Sequence, residues 1–157
     1  MKVHLGTDHA GFEFKETLKA HLGDSGFEVV DHGAHEYDAL DDYPAFCIAA
    51  AQAVVDDQAA GVEALGVVIG GSGNGEQIAA NKVKGARTAL AWNTDIAKLA
   101  REHNNAQIVS VGARQHTEAE SIAIVDAFLT EPFSGEERHE RRIRIMDAYE
   151  AEGPSAL

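Results

Sequence analysis

Leu65-Gly66-Val67-Val68-Ile69 runs directly into Gly70-Gly71-Ser72-Gly73-Asn74-Gly75-Glu76, and this stretch decides the fold. An apolar run that short, rich in β-branched residues and bounded by glycines, reads as a strand buried on both faces, lying mid-sheet. Outward from it, short β-like runs alternate with amphipathic helical runs. Lys2 to Leu5 and Glu28 to Asp31 read as the first two strands, and Arg87 to Ala91 and Gln107 to Val111 as the last two. Helices are expected from Gly11 to Leu22, ended by Gly23, and from Pro44 to Val55, where proline suits the first turn. A short helix should start near Glu76, with longer ones over Thr94 to Glu102 and Glu118 to Leu129. After Pro132 a final helix, Glu136 to Tyr149, carries four arginines. The alternation predicts an α/β protein, a parallel sheet with helices on both faces.

The chain has 157 residues, room for one core and no second catalytic domain. With 13 Lys and Arg against 26 Asp and Glu, the net charge is −13, and that field disfavours nucleic acid as a partner. A small anion is still admissible where a few arginines reverse the local potential. The first residues break into Gly6 and Asp8 after a short apolar run, so no secretion signal is expected there. The most apolar stretch, Ala45 to Val55, contains Gln52 and falls far short of the ~20 residues that span a bilayer. A soluble, cytoplasmic protein is expected, with no membrane partner. Cys47, the single cysteine, fits a reducing compartment and reads as a small buried hydrophobe. Glu152 to Leu157 reads as a frayed tail.

In a parallel sheet, ligands bind beyond the carboxyl ends of the strands, and three segments are expected there. Gly6-Thr7-Asp8-His9-Ala10-Gly11 sets an acid beside an imidazole, although Asp8 or Thr7 would equally serve to cap the next helix. The Gly70–Glu76 loop has four glycines in six positions, which implies that its backbone comes close to something. Both nucleotide fingerprints fail there, because Glu76 stands where a phosphate loop needs Lys and where G-x-G-x-x-G needs its last Gly. The loop suits amide donors around a developing oxyanion, with Glu76 as a base. The third segment, Arg101-Glu102-His103-Asn104-Asn105, closes a helix, where Asn suits a left-handed turn.

Arg114 follows the last strand, and Arg138 and Arg142, four apart, share a helix face. The three would hold a phosphate, or Arg138 and Arg142 would form surface salt bridges with Glu137 or Glu140. His32 and His35 have a spacing open to metal, but no further ligand motif supports them, and no metal is expected.

Gly6-x-Asp8-His9-Ala10-Gly11, Asp42-Tyr43-Pro44, the Gly70–Glu76 loop followed by Ala79-Ala80-Asn81-Lys82, and His103-Asn104 together resemble the type B ribose-5-phosphate isomerases, which share a family with galactose-6-phosphate isomerase. The resemblance covers about residues 1–150, an isomerase domain, and leaves 151–157 as a flexible tail. It implies a three-layer α/β/α Rossmann-like sandwich with five parallel strands in the order 2-1-3-5-4 and a C-terminal helix. It also implies a homodimer or dimer of dimers with shared active sites, and no metal or nucleotide cofactor. In many members the base is a cysteine directly after the third strand. Here Gly70 holds that position, and the match is to a branch with Ser72 in the loop and Glu76 after it.

The implied reaction interconverts D-ribose 5-phosphate and D-ribulose 5-phosphate through an enediolate. Asp8 and His103 would open the ring, and Glu76 would move the C2 proton. Arg114, Arg138 and Arg142, with His9, would clamp the phosphate. Tyr43, Ser72 and Asn104 would orient hydroxyls, beside the loop amides of Gly71, Gly73, Asn74 and Gly75. Isomerisation of another sugar phosphate of four to six carbons is the alternative within enzymes, and a non-catalytic phosphate-ligand module the alternative outside them. A sensor needs donors and shape but no base, so Glu76 with Asp8 and His103 favours an enzyme.

Overall fold

The computed structural model describes residues 1–156. The strands are β1 (Lys2–Thr7), β2 (Glu28–Asp31), β3 (Ala64–Gly70), β4 (Thr88–Leu90) and β5 (Ile108–Gly112). The helices are α1 (Phe12–Asp24), α2 (Tyr43–Ala59), α3 (Asn74–Ala80), α4 (Thr94–Asn104), α5 (Glu118–Thr130) and α6 (Glu137–Glu152). The five strands form one sheet in the order β2-β1-β3-β5-β4, and every pairing is parallel. The parallel α/β architecture matches the alternation of strand and helix runs, and the strand order is the one that the family resemblance implies.

β3 is central and buried at all seven positions. Its side chains alternate between two cores, as the period of two requires. Leu65, Val67 and Ile69 meet Leu18 and Leu22 of α1, Ala97 of α4 and Phe128 of α5. Val68 faces the other way, onto Cys47, Ala51 and Val54 of α2 and Ala80 of α3. Helices therefore cover both faces.

Several boundaries differ from the sequence reading. α1 runs through Gly23 to Asp24, because the residue that turns the chain is Gly26, at φ +86°. α3 begins at Asn74, two residues before Glu76. β4, at the sheet edge beside β5, differs from the expected Arg87–Ala91 by only one residue at each end, and the Arg87 carbonyl and Ala91 amide still bond to the Gln107 amide and the Ser110 carbonyl at 3.1 and 3.0 Å. The Asn81 side chain pins its start, accepting from the Thr88 amide at 2.7 Å and donating to the Thr88 carbonyl at 2.9 Å. α6 continues past Tyr149, its last turn tied down where Glu150 accepts from the Gly85 amide at 2.8 Å. Gly153–Ala156 then forms a 3₁₀ turn where a frayed end was expected. Among the described residues, no helix is long and apolar enough to cross a membrane.

One charge lies wholly inside. Lys15 of α1 has no exposed surface, and its Nζ donates to both oxygens of Asp31 at 2.8 and 2.7 Å and to the Ala34 carbonyl at 2.5 Å. Burial pushes the Asp31 carboxyl up, but hydrogen bonds from Lys15, Lys19 and the Gly33 amide outweigh it and hold the group at about 2. With the folded value depressed below 3.8, this contribution is present above about pH 4 and lost as the pH falls towards 2. Lys15→Met should therefore destabilise the fold by about 3 kcal/mol, since removing one partner strands the other. Urea unfolding at neutral pH reads this, and a loss below about 1 kcal/mol, the scale of an exposed pair, would contradict it.

Candidate active site

β1, β3 and β5 are neighbours, so the loops that leave their carboxyl ends converge on one crevice. Thr7 closes β1 against β3, its Oγ1 donating to the Ile69 carbonyl at 2.7 Å. Asp8 follows, only 6% exposed, and its Oδ1 accepts from the Ala10 amide at 2.9 Å. The capping alternative fails for both residues. α1 starts from Gly11, and no side chain caps it.

Across the crevice, Gly73 reverses the chain at φ +82°, a left-handed conformation open to glycine, and launches α3. Its own Cβ would lie 2.7 Å from Leu90 Cδ1, so the position is closed to side chains twice over. Ser110 Oγ donates to the Gly73 carbonyl at 2.6 Å and fixes the turn from β5. Glu76 then falls in the first turn of α3 and points back at the end of β3, only 4% exposed. Its carboxyl group fills the space beside the Gly70 Cα so fully that a Cβ on residue 70 would overlap it. Burial raises the Glu76 pKa and the charge of Asp8 adds to that, while the amides of Glu76 and Gly73 pull it back. The result is a carboxylate more basic than an ordinary glutamate, as a general base requires.

Cys47 lies near this pair but is fully buried, and burial followed by the charges of Glu76 and Asp8 pushes its thiol strongly up. It is packing. Tyr43 opens α2 with its ring against the Gly75 backbone, where a Cβ would stand 2.5 Å from the phenol oxygen. Ser72 is exposed at the loop tip, and its Oγ accepts from the Asn74 amide at 3.3 Å and from Asn74 Nδ2 at 3.2 Å. Arg114, past β5, lays its side chain over Gly71, at 3.5 Å from the position of a Cβ there, with Ala10 alongside. Close approach thus accounts for Gly70, Gly73 and Gly75, whereas a Cβ at Gly71 would meet only ordinary contacts. Asp8, His9, Tyr43, Gly71, Ser72, Gly73, Asn74, Gly75, Glu76 and Arg114 all belong to this one end of the sheet.

His103, Asn104, Arg138 and Arg142 do not, which corrects the expectation that the Arg101–Asn105 segment sits at the carboxyl ends. α4 runs antiparallel to the strands, so its last turn packs where β4 and β5 begin. Arg87 Nε donates to the Asn104 carbonyl at 3.1 Å, and the left-handed cap at Asn105 leads straight into β5. Glu76 lies beside Gly70, which pairs with the last residue of β5, whereas this group lies at the start of β5. There His103 stacks on His139 of α6, with centroids 4.3 Å apart and planes at 10°. Burial pushes the His139 imidazole down, and His103, Arg138 and Arg142 push the same way. The arginines on α6 are exposed. Arg138 pairs with Glu136 at 2.7 Å, whereas Glu137 and Glu140 take Arg141 and Arg144 instead.

His32 does not pair with His35. Its Nε2 meets His4 Nδ1 at 2.9 Å, and His4 in turn meets Asp57 at 3.0 Å. Two residues escaped the sequence reading. Asp41 holds His9, and its signal was its place directly before Asp42-Tyr43-Pro44. His139 stacks on His103, and its signal was its place beside Arg138.

The chain matches the family model described as ribose/galactose isomerase over residues 3–146. Ribose-5-phosphate isomerase B of Mycolicibacterium paratuberculosis is 61% identical over 150 residues, covering 96% of this chain and 92% of that one. Its counterpart from Mycobacterium tuberculosis is 60% identical, over 96% and 90% of the two chains. Among solved structures, ribose-5-phosphate isomerase B from Mycoplasma genitalium with bound ribulose-5-phosphate superposes with a TM-score of 0.89 at 40% identity, over 96% of this chain and 97% of that one. The Clostridium thermocellum enzyme gives 0.89 at 37%, over 96% and 98%. Sequence and fold agree over almost the whole length: the chain is an isomerase and belongs to the ribose/galactose isomerase family.

Proposed function

We propose that the chain interconverts D-ribose 5-phosphate and D-ribulose 5-phosphate by proton transfer. The observation that carries this reading is the buried Glu76 carboxylate, raised in pKa and set between the end of β3 and Asp8. Asp8 and His103 open the furanose, one taking the anomeric hydroxyl proton and the other protonating the ring oxygen. Glu76 then removes the C2 proton and returns it to C1, while the proton of the C2 hydroxyl passes to O1, so that the carbonyl moves from C1 to C2. As charge moves onto oxygen in the enediolate, the amides of Gly71, Gly73, Asn74 and Gly75 meet it. Tyr43, Ser72 and Asn104 orient the hydroxyls. Arg114 and His9 take the phosphate from one side, Arg138 and Arg142 from the other. The relatives named ribose-5-phosphate isomerase B support the pentose as substrate. A coupled isomerase assay across ribose, allose, galactose and erythrulose phosphates tests it, and the highest kcat/KM should fall on ribose 5-phosphate.

The scheme needs groups from both ends of the sheet, so a second copy must bring His103, Asn104, Arg138 and Arg142 to the crevice of the first. α6 suits that purpose: beside its arginines it exposes Ile145 and Met146, 47% and 46% accessible in the single chain. Arg138→Ala and Arg142→Ala should each raise KM roughly 10- to 150-fold, the value of a charge-assisted hydrogen bond of about 1.5–3 kcal/mol. The loss should depend on phosphate: a phosphorylated sugar-acid inhibitor should weaken and its unphosphorylated counterpart should not. Equal weakening of both would return the arginines to folding or assembly. A chain that sediments as a monomer yet turns over normally would defeat the shared site.

A further inference from the structure

The His9 ring is gripped from several directions. Asp41, in the loop before α2, uses one oxygen twice, accepting from the His9 backbone amide at 2.9 Å and meeting Nδ1 at 2.7 Å. Tyr37, earlier in the same loop, meets the ring edge-on at 6.4 Å between centroids. Asp8, at the end of β1, has Oδ2 at 4.0 Å from Nδ1, and Arg114, past β5, is the nearby cation. No described residue hydrogen-bonds His9 Nε2.

The second Asp41 oxygen, Oδ2, is buried and finds no hydrogen-bond partner among the described residues. For folding alone this is a poor use of a carboxylate. Both contacts are with N–H donors, which an asparagine carbonyl would satisfy as well without placing a charge there. What an amide does not do is stabilise a positive imidazole. The loop bearing Asp41 is also anchored: the Ala34 amide donates to the Thr7 carbonyl at 2.7 Å, and the Lys15–Asp31 pair lies beneath it.

We infer that Asp41 is a positioning residue for phosphate capture: it fixes the His9 ring through Nδ1 so that the imidazolium offers its Nε2–H to the phosphate dianion beside Arg114. The inference rests on the reading of His9 as a phosphate ligand given above. The surrounding charges have the required sign. The hydrogen bond that His9 donates to Asp41 raises the His9 pKa most, burial opposes it, the charges of Asp8 and Asp41 add to the rise and that of Arg114 subtracts.

Asp41→Asn tests this, because the amide keeps the shape and still accepts from the backbone N–H. The His9 ring protons are titrated by NMR in both proteins, and the affinity for inorganic phosphate is measured at about pH 5.5 and 7.5. The titration midpoint should move to lower pH in the variant. Phosphate binding should weaken about tenfold at the higher pH, as loss of a charge-assisted hydrogen bond implies. It should weaken less at the lower pH, where the imidazole is protonated in both. In turnover, KM should carry the loss while kcat holds. An unchanged midpoint, or equal weakening at both pH values, overturns the inference and makes the contact architectural. A shifted midpoint with phosphate affinity untouched overturns the phosphate role of His9 and the inference with it. Inactivity of the unaltered protein on every sugar phosphate is a separate failure, that of the isomerase reading, and the NMR and phosphate measurements decide on Asp41 regardless.

Discussion

Glu76→Gln should lower kcat by roughly 10²- to 10⁴-fold, the usual share of a positioned general base, while sugar-phosphate binding survives. The amide fills the same space beside Gly70 and keeps the first turn of α3 intact, but it cannot accept the C2 proton. Binding and turnover must therefore separate, as they do when a group acts only in the transition state. The pH profile gives a second signature. Burial and Asp8 raise the Glu76 pKa, so the active, ionised form is lost as the pH falls through a value above that of an ordinary glutamate. The acid limb of kcat/KM should sit correspondingly high in the unaltered enzyme and vanish from the residual activity of the variant. Retention of more than about a tenth of kcat would assign the proton transfer to another residue.

Much of this crevice is legible in the residues themselves. The Leu65–Glu76 stretch gave a buried strand followed by a loop too rich in glycine to be a plain turn, and the rule that parallel sheets bind ligands at their carboxyl ends placed it correctly. What misled was α4. Local sequence marks Asn105 as a helix terminus, but not which end of the sheet that terminus reaches. That follows from the antiparallel return of a crossover helix, and applying it would have set His103 at the amino ends. Asp41 was invisible for a different reason. A pair of aspartates before Tyr43-Pro44 looks like solvated loop, and only the fold of residues 32–42 over β1 brings one of them to 2.7 Å from His9. The arginines of α6 illustrate a third limit: period alone pairs Arg138 with Arg142, whereas the ion pairs that form on one chain use Glu136, Glu137 and Glu140.

Gly70→Ala should abolish most turnover, with a kcat loss of about the same size as Glu76→Gln, although it adds a single methyl group. Gly70 lies in the strand with its φ outside the left-handed region, so alanine is allowed by the backbone, and the cost falls on the neighbour whose carboxyl group occupies the place of the new Cβ. The carboxylate must leave, and with it the base proposed for the C2 proton. Circular dichroism and thermal melting should show a folded protein, which distinguishes displacement from collapse. The same overlap means that one volume at the end of β3 can hold a side chain from residue 70 or the carboxyl group of Glu76, but not both. Gly70→Cys combined with Glu76→Ala should then recover activity above that of Glu76→Ala alone, since the thiol enters the vacated space. Its pH optimum should move upward, because an unperturbed thiol ionises near ~8.5. Wild-type kcat in Gly70→Ala, or a double variant no better than Glu76→Ala, would show that the two positions do not share one site for proton transfer.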